Sequence, residues 1–327
     1  MLPVPVLVLV AAAMIAPSAP STSLSLVSAS PVPDLEILHT GDVQGYLDTC
    51  GCKVNPSGGL PRRGWVAGQA RTLFPDAAVV LLDAGNFSDN PTSEGEARTR
   101  ALVEGMNRLG YAAANVGERE LAAGFPGFAR ATEGAAFPFL SANVVRKENG
   151  KPIFATTTLV EVPRAGGQAV RVGVIGLTRQ NPALQKAGPD GAMLAIADPG
   201  ASLQAYLPEL RATSDVVVLL AAMPEAEARA LAKAHPEIDL VLGGSGGTVS
   251  PEEKAEGKPA VRYTGVQGRF LGEVRLTLSP ERRITSTTSR AHQLDPRYPS
   301  DPEMAAYLER TLASLPRASL APLDPVH

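Results

Sequence analysis

Histidine and cysteine are both scarce in this chain: among 327 residues there are four of the first and two of the second. His39 lies inside an expected strand, His235 ends an expected helix, His292 lies in a late strand and His327 is terminal, so none stands in a strand-end loop. Packing in the core or at the surface is their default role. No long basic run occurs and the formal net charge is −3, which argues against nucleic acid and acidic membrane as partners. The first 33 residues carry no charged side chain. There is also no internal repeat and no strong linker, so a single domain is the expected organisation.

Hydrophobic residues make up 44% of the chain, ample for a globular core. The apolar stretch Leu7 to Ala16 is bounded by prolines. It is shorter than the roughly 20 residues a spanning helix needs and suits a signal-peptide core better. Ser28-Ala29-Ser30 offers small residues for cleavage, and no cysteine is nearby to carry a lipid. Residues 1–30 are therefore expected to be a signal peptide or an N-terminal anchor, and the protein to be exported, periplasmic or extracellular. Membrane contact is expected only if this segment stays uncleaved.

The remainder alternates strands with helices, the pattern of a layered α/β fold. Strands are expected at 34–40, 77–83, 111–116, 137–143, 170–177, 215–220 and 238–242, and helices at 60–74, 94–109, 201–212 and 225–234. Beyond residue 258 the period changes to strands at 261–264, 270–278 and 284–292, followed by a short helix at 301–315. The domain is expected to span 31–300, with 301–327 a C-terminal helix and tail. Nearly every apolar strand runs into a glycine-containing turn. Ligands of open α/β folds gather at the carboxyl ends of strands, so the functional residues are sought in these turns.

Taken in order, the turns resemble the catalytic domain of 5'-nucleotidases in the calcineurin-like metallophosphoesterase superfamily. The resemblance rests on Ile37-Leu-His-Thr-Gly-Asp-Val-Gln-Gly45, Gly58-Gly59-Leu60-Pro61-Arg62-Arg63, Leu82-Asp83-Ala84-Gly85-Asn86, Gly117-Glu118-Arg119-Glu120-Leu121, Leu140-Ser141-Ala142-Asn143, Val172 to Thr178, and Gly243-Gly244-Ser245. It covers residues 34–293 and implies a four-layer αββα sandwich. Members often add a second, nucleoside-binding domain, which a chain of this length is not expected to contain.

The family's chemistry uses two divalent ions (Mn, Zn or Mg) to activate water and hold phosphate oxygens. Carried over by position, the metal ligands are Asp42, Gln44, Asn86 and Glu118, and only Asp42 keeps the family's residue. Gln44 replaces a histidine, Asn86 the bridging aspartate, and Glu118 and Arg119 the asparagine–histidine pair. Ala222, Ser245 and Gly247 stand where further ligands fall. Loss of the bridging carboxylate and of every imidazole removes most inner-shell donors, and Arg119 repels a cation. Ordinary two-metal hydrolysis is therefore expected to be lost. An active phosphoesterase with an altered ligand set is the alternative, and a single-metal site from Asp42, Asp89, Glu118 and Glu120 is a further one.

The insertion Asp48-Thr-Cys-Gly-Cys-Lys53 follows the first strand end, and resembles a subgroup of exported nucleotidase-like proteins with Cys-Gly-Cys there. A bridge between Cys50 and Cys52 would close a small ring far from relaxed disulfide geometry, and strained disulfides are the labile ones. Lys53, Arg62, Arg63 and a helix start at Leu60 would favour thiolate. A redox-active pair with Cys50 and Cys52 as the reacting residues, a static loop clip, and a pair of ligands for copper or zinc are the three open readings. Gly58 and Gly59 ahead of a helix bearing Arg62 and Arg63 also suit an anion. The expected partner is a small phosphorylated molecule or a thiol/redox protein, and a non-catalytic binding protein is a further reading.

Overall fold

A computed structural model describes residues 32–49, 54–164, 167–182, 193–257 and 261–316. Residues 1–31 and the Cys50–Lys53 segment lie outside these, so the leader expectation and the Cys-Gly-Cys readings have no structural counterpart.

Two mixed sheets lie face to face. The first contains β1 (Leu35–Thr40), β2 (Ala78–Asp83), β3 (Tyr111–Asn115), β4 (Phe139–Leu140), β11 (Glu253–Glu256), β13 (Phe270–Leu278) and β14 (Ile284–Gln293), in the order β11-β14-β13-β1-β2-β3-β4. The second contains β6 (Thr157–Val162), β7 (Val170–Thr178), β9 (Val216–Ala222), β10 (Leu240–Gly243) and β12 (Val261–Tyr263), in the order β12-β10-β9-β7-β6. A small ribbon pairs β5 (Val144–Arg146) with β8 (Leu194–Ile196).

Strands β1 to β4 run parallel, as do β7, β9, β10 and β12. Leu35 and Ile37 of β1 join Val172, Val174, Val216 and Val218 in the apolar layer between the sheets. Leu38, on the opposite face of β1, packs toward α1 (Leu60–Leu73), α2 (Ser93–Leu109) and α7 (Pro302–Ser314). The outer face of the second sheet is covered by α5 (Pro199–Thr213) and α6 (Glu225–Ala234). This is the four-layer αββα sandwich.

All seven residues of β9 are buried, which fits a sequence with apolar side chains on both faces. Helix α2 is set by local signals: Thr92 Oγ1 accepts from Gly95 N at 3.0 Å, and Gly110 ends the helix at φ 76°.

Four expectations change. The strand sought at 137–143 shortens to Phe139–Leu140 because the chain then crosses between sheets, with Ala142 N donating to Gly176 O. Strands β6 and β11 are additional; both are edge strands with alternating exposure and no continuous apolar run. Two short helices, α3 (Glu118–Ala122) and α4 (Gly124–Ala131), follow β3 where no element is expected. Helix α7, set apart in the sequence reading, is part of the first helix layer: Met304, Tyr307 and Leu308 are buried, and Tyr307 Oη donates to Ala101 O at 2.6 Å.

Candidate functional site

Because the parallel strands of both sheets point the same way, their carboxyl ends form one rim. The sheets touch there. A β-carbon on Gly41 would stand 2.6 Å from Gly243 O, and one on Gly244 only 2.5 Å from Ala84 O, so only glycine allows this approach.

Beneath the rim a buried polar seam joins the sheets. Asn115 Nδ2 donates to Ala84 O at 3.2 Å and to Leu177 O at 2.8 Å. Asn143 holds both ends of Thr178, donating to its carbonyl at 2.7 Å and accepting from its N–H at 2.8 Å. Thr178 Oγ1 in turn donates to Val116 O at 2.6 Å and lies 2.8 Å from Ser141 Oγ. All four side chains are fully buried.

Above the seam, the structure brings Asp42, Gln44, Asn86 and Glu118 to the same rim. Asp42, Gln44 and Asn86 are non-glycine residues in the left-handed region, with φ of 53°, 57° and 59°. That conformation is costly for residues with a β-carbon and needs outside support. The support is visible. Asp42 N donates to Gly85 O at 2.8 Å, Gln44 N to Asn86 O at 3.1 Å, and Gln267 N to Asp42 O at 2.8 Å. Glu120, 1% exposed, gathers the loops from below by accepting from Asn86 N (2.9 Å), Ser88 N (2.8 Å) and Gly117 N (2.7 Å). Its burial raises its pKa while those amides oppose the rise. The sequence reading missed this role. Glu120's place in the Gly117-to-Leu121 turn was the available signal.

The side chains at the ligand positions face one another. Gln44 Nε2 donates to Asp42 Oδ1 at 3.0 Å. Asn86 Nδ2 donates to Gly244 O at 2.7 Å and its Oδ1 accepts from Arg119 N at 3.1 Å. Glu118 Oε1 accepts from Asn181 Nδ2 at 2.9 Å. Burial raises the Asp42 pKa, against the lowering effects of Gln44, the Arg119 charge and the Gly246 N–H. Arg119 Nε donates to Ser88 O at 2.7 Å, and its Nη2 reaches Asn90 Oδ1 at 3.3 Å. Asp89 is paired with Arg98 at 2.9 Å. Ala222 is buried with its methyl toward Gly85, and Ser245 and Gly247 lie in the loop after β10.

These residues do not fit a pair of divalent ions. Asn86, at the bridging position, is neutral and already bonded at both ends of its amide. Gln44 turns its N–H, not a lone pair, toward Asp42. Among the described residues no group of three or more His, Cys, Asp or Glu is arranged to hold a metal, so the Asp42, Asp89, Glu118, Glu120 set does not converge either. His39 is 2% exposed beneath the rim, where burial lowers its pKa to about 3. His292 bonds Glu273 and Tyr298 at 2.9 Å each.

The glycines and arginines expected to cradle an anion stand at the start of α1. Gly58 N donates to Leu294 O at 2.8 Å and Leu60 N to Leu47 O at 2.9 Å, while Pro61 has no N–H. Arg62 Nη1 donates to Pro56 O at 2.7 Å and Leu294 O at 2.9 Å. Arg63 is fully buried, 3.5 Å from Tyr111 Oη. Gly58 and Arg62 thus tie the start of α1 to Leu294 and Pro56, and Gly58 also bridges to Thr49. Beside the rim, a cavity of about 250 Å³ opens between the loop after β2 and α4, lined by Ser88, Asn90, Thr92, Glu96, Phe128 and Arg130.

The architecture and its strand-end rim are those of the calcineurin-like phosphoesterase and 5'-nucleotidase fold. A calcineurin-like phosphoesterase from Bacillus subtilis superposes with a TM-score of 0.71 at 20% identity, covering 86% of this chain and 98% of that one. A 5'-nucleotidase precursor from Thermus thermophilus gives a TM-score of 0.71 at 26% identity, over 85% of this chain and 58% of that one. Among curated proteins, the 2',3'-cyclic-nucleotide 2'-phosphodiesterase/3'-nucleotidase of Salmonella typhimurium is 24% identical over 306 residues, 81% of this chain and 46% of the relative. The homologues are thus 5'-nucleotidases and 2',3'-cyclic-nucleotide 2'-phosphodiesterase/3'-nucleotidases, and the chain spans about half the length of that curated relative or less. No family model matches the chain.

Proposed function

We propose that this chain is an exported, nucleotidase-like phosphoesterase-fold protein that engages a small phosphorylated molecule at the rim and has lost two-metal hydrolysis. The observation that carries the reading is Asn86. A bridging ligand must offer negative charge to two cations; here an amide sits in that position, bonded to Gly244 O and Arg119 N. The phosphorylated ligand class comes from the relatives, whose names are those of nucleotidases and a cyclic-nucleotide phosphodiesterase. Export rests on the uncharged first 33 residues and the apolar stretch within them; among the described residues no helix is long and apolar enough to cross a membrane. Metal analysis of the purified protein, joined to a phosphate-release assay on nucleoside monophosphates with Mn²⁺, tests the reading. Less than one-tenth equivalent of bound metal and no release are expected. Two equivalents of metal with release would overturn it.

The strained left-handed backbone that brings Asp42, Gln44 and Asn86 to one rim favours a second reading, an active phosphoesterase with an altered ligand set, and the same assay decides between them. A thiol/disulfide role for Cys50 and Cys52 is the remaining part of the proposal. It is supported by the pair's spacing and by the anchored base of its loop at Thr49 and Gly58. Titration of free thiols before and after mild reductant checks it, with a gain of two thiols expected. Nothing supports a separate redox partner protein.

A further inference from the structure

If the rim has lost its metals, the buried and half-buried acids gathered there still need compensation. Burying a carboxylate without a partner costs several kcal/mol. In a metal-dependent centre the cations supply that compensation and hold the loops in shape, so replacing ligands alone would leave Asp42 and its neighbours facing one another.

The structure shows a chain-borne substitute for each. Asp42, 7% exposed, receives Gln44 Nε2 at 3.0 Å and lies in the field of Arg119. Glu118 receives Asn181 Nδ2 at 2.9 Å. Asp89 receives Arg98 Nε at 2.9 Å, and the same guanidinium reaches Gly45 O at 3.4 Å. Glu120 receives three backbone N–H groups. The loops are cross-linked in the same way: Asn86 ties the loop after β2 to that after β10 through Gly244 O, and to the start of α3 through Arg119 N. The Arg119 guanidinium then reaches back to Ser88 O and Asn90 Oδ1.

We infer that Gln44, Asn86 and Arg119 form a built-in replacement for the divalent ions. The Asn86 amide and the Arg119 guanidinium cross-link the rim loops, and the Gln44 N–H and the Arg119 charge compensate Asp42, so the rim is complete without metal. This rests on the reading that two-metal chemistry is lost, and it explains how the strained backbone survives that loss. Asn86 and Arg119 act as positioning residues here. The substitutions are coupled: an aspartate at 86 would face the carbonyl of Gly244 with oxygen in place of N–H, and a neutral residue at 119 would remove the cation beside Asp42.

Thermal unfolding of the wild type, Asn86→Asp, Arg119→Gln and Arg119→Lys, each in EDTA and in MnCl₂, tests this. The wild-type Tm is expected to be the same in both. In EDTA, Asn86→Asp and Arg119→Gln are expected to lose about 3–8 °C, and Arg119→Lys less than Arg119→Gln because it keeps the charge. MnCl₂ is expected to recover part of the loss in Asn86→Asp alone, where a carboxylate has returned beside Asp42. If Asn86→Asp does not fold, the Arg119 pair in EDTA carries the test. A wild-type Tm that moves with chelator or Mn²⁺, or Arg119→Gln as stable as the wild type in EDTA, would overturn the inference. Mn²⁺-dependent phosphate release with a wild-type Tm indifferent to EDTA would defeat the functional proposal and leave this one standing; a metal-sensitive Tm without phosphate release would do the reverse.

Discussion

The seam and the rim both lie at the carboxyl ends of the parallel strands, yet they differ in what the chain has kept. In the seam, Ser141, Asn143 and Thr178 stand unaltered within the motifs that suggested the fold, and each bonds a group on another segment. At the rim, three of the four ligand positions, Gln44, Asn86 and Glu118, carry other residues, while the backbone at Asp42, Gln44 and Asn86 is left-handed. The seam is needed to join two sheets whatever the ligand chemistry. The rim side chains answer to that chemistry and change with it, provided the new ones still satisfy their neighbours. Motifs of this fold therefore carry two messages, one about architecture and one about metals.

The largest expected effect lies in the seam. Asn143→Ala would strip partners from Thr178 N and Thr178 O, both buried between layers, and from the half-buried Ala197 O. Each unsatisfied buried group costs about 1–3 kcal/mol, so a loss of about 3–5 kcal/mol in urea unfolding is expected. A loss below about 1 kcal/mol would mean that water replaces the amide, and the seam would then be no more essential than the rim.

Next comes a pH effect from beneath the rim. Asp83 is fully buried, accepting from Thr40 Oγ1 at 2.6 Å and Gly85 N at 2.8 Å. Burial, aided by Glu120, raises its pKa from 3.8 to about 6 against the opposing Thr40 and Gly85 bonds. The unfolded chain releases this proton near its ordinary value, whereas the folded chain keeps it until about 6. Its contribution therefore favours folding below pH 4, declines as pH rises, and is gone above 6. The full span is about 3 kcal/mol. Asp83→Asn removes the titration, so its urea-unfolding profile between pH 4 and 6 should be flatter than the wild type by about that amount. Leaving Arg63 without its neighbouring carboxylate shifts the whole curve but not its slope. Parallel wild-type and variant profiles would place the Asp83 charge in water.

How much of this was legible depended on what each residue's partner is. β9 was legible because both of its faces are buried and Val216 to Ala222 is apolar throughout. β11, Glu253-Lys-Ala-Glu256, was not, because an edge strand with an open face needs no apolar run. The rim residues were legible as a set, since each follows a strand end and parallel strands bring those ends together. The contacts of Arg62 and Arg63 were not legible, because their partners, Leu294 and Tyr111, lie 232 and 48 residues away in sequence. Helix α4 gave no strong signal in eight residues, four of them buried.

The smallest effect tests whether the rim's strain is stored in its backbone. Gln44 is half-buried, makes one side-chain bond to Asp42 and holds φ at 57°. Gln44→Ala removes the bond and keeps the β-carbon, so a loss of about 0.5–1.5 kcal/mol is expected. Gln44→Gly loses the same bond but also the steric penalty of the left-handed conformation, worth about 1–2 kcal/mol. The glycine variant should therefore be more stable than the alanine variant and close to the wild type in urea unfolding. If glycine instead proves the worse of the two, the loop after β1 would owe its shape to the Gln44 side chain. That loop would then resemble the seam, in which side-chain bonds carry the structure.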